Sequence, residues 1–129
     1  WDADPLRELL DRNVIAKYAF PDGGTKPLLT AEGCAWNNGT KATPCLSADL
    51  LGDWREEVLW RTGADRALRL YTTVIPADRR LWTLMHDPLY RLGVAWQNAG
   101  YNQPPHTGFF LGHGMKPPPR PLIDVPAAK

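Results

Sequence analysis

Two side chains in this sequence are placed to move protons, and each closes a segment of the same kind. Lys41 ends Gly33-Cys34-Ala35-Trp36-Asn37-Asn38-Gly39-Thr40-Lys41, and Tyr101 ends Gly93-Val94-Ala95-Trp96-Gln97-Asn98-Ala99-Gly100-Tyr101. Gly33 falls on Gly93, Ala35 on Ala95, Trp36 on Trp96 and Asn38 on Asn98, a constant spacing of 60 residues. A lysine ammonium or tyrosine phenol acts as a base near neutrality only when burial or a nearby cation lowers its pKa, so the pair points to acid–base chemistry beside a cation. Just before Lys41, Asn38-Gly39-Thr40 sets an amide, a backbone N–H and a hydroxyl in a row, which suits sugar hydroxyls. The triplet also has the form of an N-glycosylation acceptor; the binding role is preferred.

A cation site is suggested by the acidic residues. Asp49, Asp53 and Glu57 lie four apart on a glycine-containing loop, and a shift of 49 residues lays Asp4 on Asp53 and Glu8 on Glu57, with Asp2 close by. Calcium takes about six to eight oxygens, which such a turn can wrap around one point. Asn98, Gly100 and Asn102 offer oxygens at alternating positions and form a further candidate site. The alternative for the acidic residues is turn capping, with Glu8 or Glu57 paired to Arg7 or Arg55. His86 and His106 have no partner at zinc-ligand spacing and read as structural.

The elements that position these groups read as short strands. Leu6–Leu10 and Val14–Tyr18 flank a turn at Asp11-Arg12-Asn13, and Lys26–Thr30 follows the turn signal Pro21-Asp22-Gly23-Gly24. The pattern then restarts with a strand ending in Val58-Leu59-Trp60, another at Arg66–Thr73, a possible one at Leu81–Met85, and Tyr90–Gln97 closing the unit. Each Gly-Xaa-Ala-Trp segment is expected to be a strand delivering its loop to one sheet edge, with Lys41 and Tyr101 on the same face. A repeat of this length built from short strands is the pattern of a β-propeller blade, so the chain is expected to be all-β. It is divided into blade repeats over 1–45 and 46–108, with a closing, extended tail over 109–129. About two blades cannot close a ring, so the remaining blades of a longer chain are the expected partners and the fragment is expected to be inactive alone.

Composition narrows the function further. With 15 basic and 14 acidic residues and a net charge of +1, there is no basic stripe for nucleic acid. No apolar segment approaches membrane-spanning length. The six tryptophans read first as core and second as sugar-stacking platforms. Cys34 and Cys45 bracket the Asn38–Lys41 loop; a disulfide between them and two buried thiols are equally open.

The run from Cys34-Ala35-Trp36-Asn37-Asn38-Gly39-Thr40-Lys41 through Ser47-Ala48-Asp49 to Gly52-Asp53-Trp54-Arg55-Glu56-Glu57, with Trp96-Gln97-Asn98-Ala99-Gly100-Tyr101-Asn102-Gln103-Pro104-Pro105-His106-Thr107-Gly108, resembles the C-terminal end of the family-11 rhamnogalacturonan lyases. The resemblance covers nearly the whole chain but only the last part of such an enzyme. It implies an eight-bladed, calcium-dependent propeller, secreted, that cuts the rhamnogalacturonan I backbone of pectin by β-elimination at galacturonate. It implies substrate contacts for Asn38, Gly39 and Thr40 and functional roles for Lys41 and Tyr101. A non-catalytic, calcium-containing carbohydrate-binding propeller is the alternative.

Overall fold

The computed structural model describes residues 1–97, 99–100 and 103–126. Within them, β1 (Leu9–Asp11), β2 (Val14–Tyr18) and β3 (Thr25–Thr30) form an antiparallel sheet in that order. The β1–β2 turn pairs Asp11 with Val14, and Arg12 takes the left-handed conformation (φ 56°) that lets the chain reverse in two residues. Pro27 lies in β3 beside a register shift opposite Ile15 and Ala16; a residue without an N–H is accommodated at such an outer, bulged strand.

A second sheet is centred on β6 (Glu57–Thr62). One edge of β6 pairs with β7 (Leu68–Tyr71). Its other edge is shared, end to end, by β4 (Cys34–Ala35) on Arg61–Thr62 and β5 (Leu46–Ala48) on Glu57–Leu59. Residues 36–45 are therefore an excursion from one interrupted edge strand.

The two sheets share a core. Ile15 and Ala31 from the first pack with Cys34, Val58 and Trp60 from the second. Trp60 is fully buried, meets Tyr71 edge-on at 5.3 Å, and donates its indole N–H to the Arg12 carbonyl at 2.8 Å. One ring thus ties β6 to β7 and to the turn of the other sheet, satisfying its polar atom as a buried indole must.

Two expectations fail beyond β7. Tyr90–Gln97 does not form a closing strand: α1 (Pro88–Trp96) is an α-helix. Asp87 accepts the Leu89 N–H at 3.0 Å and Pro88 opens the first turn, a start signal that outweighs the β-like composition of Val94-Ala95-Trp96. Leu81–Met85 likewise forms no strand; it ends in a 3₁₀ turn, Leu84–His86, capped by the Thr83 hydroxyl. Gly33 and Gly93 consequently do different work. Gly33 has φ +73° in the turn before β4, whereas Gly93 sits in the helix, where a Cβ would lie 2.9 Å from the Pro105 Cα. The helix packs through Tyr90 against Trp54 and Leu84 in a second cluster.

Candidate functional site

The Asn38–Lys41 loop is the excursion between β4 and β5, and its turn is closed by its own groups. The Lys41 N–H donates to Asn38 Oδ1 at 2.6 Å, the Ala42 N–H to the Asn38 carbonyl at 3.1 Å, and the Asn37 N–H to the Thr43 carbonyl at 2.9 Å. Ala42, with φ 50°, offers its carbonyl to the Arg12 N–H at 2.9 Å, which anchors the loop on the other sheet. Gly39, Thr40 and Lys41 are exposed at the tip, and Asn38 is half-buried. Asn38 Oδ1 thus shapes the turn. Tyr101 lies outside the described residues, as do Asn98 and Asn102, and Gly100 is exposed.

Cys34 and Cys45 form no disulfide among the described residues. Cys34 is buried with its sulfur 3.4 Å from the Tyr71 hydroxyl, and Cys45 donates to Asn37 Oδ1 at 3.1 Å. Of the two arrangements open in the sequence, the structure has separate thiols. The loop is held by hydrogen bonds.

The two acidic turns are built alike. Ala3 and Gly52 have φ 75° and 76°. Asp4 Oδ1 accepts the Leu6 N–H at 2.7 Å, and Asp53 Oδ1 accepts the Arg55 N–H at 3.1 Å. Glu8 Oε2 accepts the Trp1 N–H, and Glu57 Oε2 the Leu50 N–H, both at 2.9 Å. Strand register pairs Leu9 with Ala16 and Val58 with Tyr71, so Lys17 and Thr72 occupy corresponding places. Lys17 Nζ donates to Glu8 Oε1 at 2.9 Å, and the Thr72 hydroxyl to Glu57 Oε1 at 3.1 Å.

Their surroundings diverge from there. Asp2, Asp4 and Glu8 come together, with ligand oxygens within 4.8 Å of one another, and the Lys17 ammonium lies among them at 3.1, 2.8 and 2.9 Å. Burial alone would lower the Lys17 pKa; its hydrogen bonds to Asp4, Glu8 and Asp2 outweigh this and raise it. Burial would raise the pKa of Asp2, but Lys17 holds it below the usual carboxylate range.

Asp49, Asp53 and Glu57 do not gather around a point as the sequence suggested. Asp49 Oδ2 accepts the Trp54 and Leu84 N–H groups and the Thr83 hydroxyl at 3.2, 2.8 and 2.7 Å, while its buried Oδ1 has no hydrogen-bond partner among the described residues. Asp53 is turned to Arg55, whose guanidinium outweighs burial and lowers its pKa. Glu57, only 1% exposed, also accepts the Leu51 N–H at 3.0 Å. These carboxylates finish turns by accepting backbone N–H groups. They do not fit a shared cation.

Glu57 therefore supplies a direct check. Replacement by leucine is expected to cost about 3 kcal/mol in chemical denaturation, because buried donors lose their acceptor. Glutamine, which keeps one oxygen for Leu50 and Leu51, should cost about 1 kcal/mol. Equal losses would mean that the charge, and not the acceptor geometry, is required.

Lys17 and Gln97 are the contributors that sequence reasoning missed. Lys17 had a signal: it follows Ile15 by two residues on β2 and so shares its core-facing side, where a lysine requires anionic partners. Gln97 follows α1 and pairs with the outer edge of β5, accepting the Ser47 N–H at 2.7 Å and donating to the Ser47 carbonyl at 2.6 Å. Its amide mimics a strand, which no local pattern announces. Nearby, the Asp49 N–H donates to the Tyr90 hydroxyl, which donates to Glu56 Oε1 at 2.8 Å. Burial pushes the pKa of Glu56 up against the opposing effects of Arg7 and Tyr90.

A cavity of about 270 Å³ opens between the acidic turns, with Arg7, Trp54, Glu56, Gln97 and His106 in its wall. Asn38, Gly39, Thr40 and Lys41 do not line it. The exposed loop tip and the cavity are distinct features.

The sequence profile of rhamnogalacturonan lyase family 11, C-terminal domain, matches residues 1–121, and the chain belongs to this family. It is 64% identical to the rhamnogalacturonan endolyase YesW of Bacillus subtilis (strain 168) over 98% of this chain and 20% of that protein. It is 51% identical to the rhamnogalacturonan exolyase YesX of the same organism, over 100% of this chain and 22% of that one. The crystal structure of YesW superposes with a TM-score of 0.92 at 64% identity, covering 98% of this chain and 22% of that one. A rhamnogalacturonan lyase of Bacillus licheniformis does so with 0.88 at 61% identity, covering 92% and 20%. The chain thus spans about a fifth of the length of these relatives.

Proposed function

We propose that this chain is the C-terminal part of a secreted enzyme that cleaves the rhamnogalacturonan I backbone of pectin by β-elimination at galacturonate. The observation that carries this reading is the Asn38–Lys41 loop, presented as an anchored excursion from a sheet edge within a chain of this family. The two sheets, with exposed Leu68 and Leu70 on the outer strand β7, are read as about two blades of an eight-bladed propeller whose other blades pack on such surfaces. On that reading the division between the blade repeats, expected at residue 45, falls before Cys34, because β4 pairs in the second sheet, and 109–129 are taken as the closing tail. Secretion follows from a polymeric cell-wall substrate.

In the elimination, a base takes the C5 proton of the galacturonate, the C4–O bond breaks, and a C4=C5 double bond forms. An acid protonates the departing glycosidic oxygen, so the proton balance closes on two side chains. Lys41 and Tyr101 are proposed to flank the bond, with Gly39, Thr40 and the second N–H of the Asn38 amide, whose first N–H is directed at the Thr43 hydroxyl, toward the sugar hydroxyls. Calcium dependence belongs to this reading as a property of the whole enzyme. Because Asp49, Asp53 and Glu57 are committed to turn contacts and Asp2, Asp4 and Glu8 to Lys17, its ligands are placed beyond these carboxylates, and the proton transfers are written without it.

The test is an assay of the intact enzyme on rhamnogalacturonan I. Ultraviolet absorbance of the unsaturated uronate should appear with time and be lost in chelator. Substrate binding without that product would assign the loop to non-catalytic carbohydrate recognition.

A further inference from the structure

We infer that the ε-ammonium of Lys17 is the resident cation of the Asp2–Asp4–Glu8 turn, so that this turn is closed by the protein itself and takes no divalent ion. The inference is independent of the lyase reading, because it concerns what holds one turn of the fold.

Three carboxylates from one short segment converge on Nζ, at 3.1 Å for Asp2 Oδ1, 2.8 Å for Asp4 Oδ1 and 2.9 Å for Glu8 Oε1. A lysine ammonium has three N–H donors, and each carboxylate takes one. One oxygen from each of these carboxylates lies within 4.8 Å of the others, close enough to face a single cation. Calcium sits about 2.3–2.6 Å from its oxygens. An ion at that distance from these three would need the space already held by Nζ, at a cost of bringing two cations into contact. The Lys17–Glu8 pair is sheltered, with side chains 19% and 10% exposed, whereas Asp2 and Asp4 reach Nζ from the rim at 23% and 42%. Water therefore screens the Lys17–Glu8 pair less than it would a surface pair.

The corresponding turn makes the case by contrast. Thr72 stands where Lys17 stands and supplies a neutral hydroxyl. There the acids separate: Asp53 turns outward to Arg55, and Asp49 turns to the Trp54 and Leu84 N–H groups. The two turns differ in two places, Lys17 against Thr72 and Asp2 against Leu51, and the acids gather in the turn that has both the lysine and the third carboxylate.

The experiment is limiting acetylation of the full protein as expressed, with each lysine's rate read by mass spectrometry. It is run in millimolar calcium chloride and again in chelator. Lys26 and Lys116, both exposed, are the references. Lys17 is expected to react at least about tenfold more slowly than either, at a rate that calcium does not change. Lys17 reacting as fast as the references would overturn the ion-pair assignment. A several-fold rise in Lys17 labelling on adding calcium, the sign of an entering ion expelling the ammonium, would overturn it as well. Loss of enzyme activity in chelator bears on the lyase reading and leaves this local readout unaffected.

Discussion

Replacing Lys41 by alanine is expected to lower kcat on rhamnogalacturonan I by about a hundred- to ten-thousand-fold, with KM nearly unchanged. That range is what a positioned acid or base contributes to a proton transfer. The loop's contact with Asn38 is made by the backbone N–H of Lys41, which alanine also supplies, so the turn itself survives the change. Lys41→Arg separates two roles. Arginine keeps the positive charge but stays protonated near neutrality, so it cannot accept the C5 proton. If Lys41 only holds the uronate carboxylate, arginine restores most of kcat; if it transfers the proton as a base, arginine remains as slow as alanine. A variant with raised KM and unchanged kcat would remove Lys41 from the chemical step.

The largest structural effect is expected at Trp60. Trp60→Ala should destabilise the fold by about 3–5 kcal/mol in chemical denaturation, the usual cost of emptying a fully buried aromatic site. The indole lies between β7 and the β1–β2 turn, so the cavity opens between the two sheets. Trp60→Phe keeps a ring beside Tyr71 but leaves the Arg12 carbonyl without the indole N–H, and should cost about 1–2 kcal/mol. A loss below about 1 kcal/mol for alanine would mean that the sheets do not depend on a common core.

The two internal similarities in the sequence had different fates, and the reason is physical. The 49-residue relation of Asp4 to Asp53 and Glu8 to Glu57 corresponds to the same turn, down to the left-handed residue at Ala3 and Gly52. A carboxylate accepting an N–H two residues ahead is a local event, and local events are visible in sequence. The 60-residue relation of Gly33 to Gly93 did not carry over to conformation. The Asp87-Pro88 start lies outside the similar residues, yet it commits Gly93-Val94-Ala95-Trp96 to a helix. β1, β2, β3, β6 and β7 were legible because apolar alternation and turn residues marked them. The pairing of β4 and β5 along one edge of β6 was not, because strands of two and three residues carry too little pattern.

Of the candidate site, the loop's place between two short strands was legible, whereas the partners that the acidic side chains take in the fold were not. Carboxylate spacing cannot distinguish oxygens offered to a cation from oxygens offered to N–H groups. The distinction rests on Lys17, Thr72 and Thr83, which lie 9 to 34 residues from the acids they serve.

The interrupted edge strand has a consequence for how such a domain can change. β4 is registered to β6 at Arg61 and Thr62, and β5 separately at Glu57 to Leu59. Neither registration depends on the length of chain between them. Residues 36–45 therefore behave as an exchangeable cassette: residues added or removed at its tip do not propagate a slip into the sheet, which would turn buried side chains outward. Longer excursions cost little in closure entropy. A scaffold of this kind can diversify what it grips, one loop at a time, while its core stays as it is.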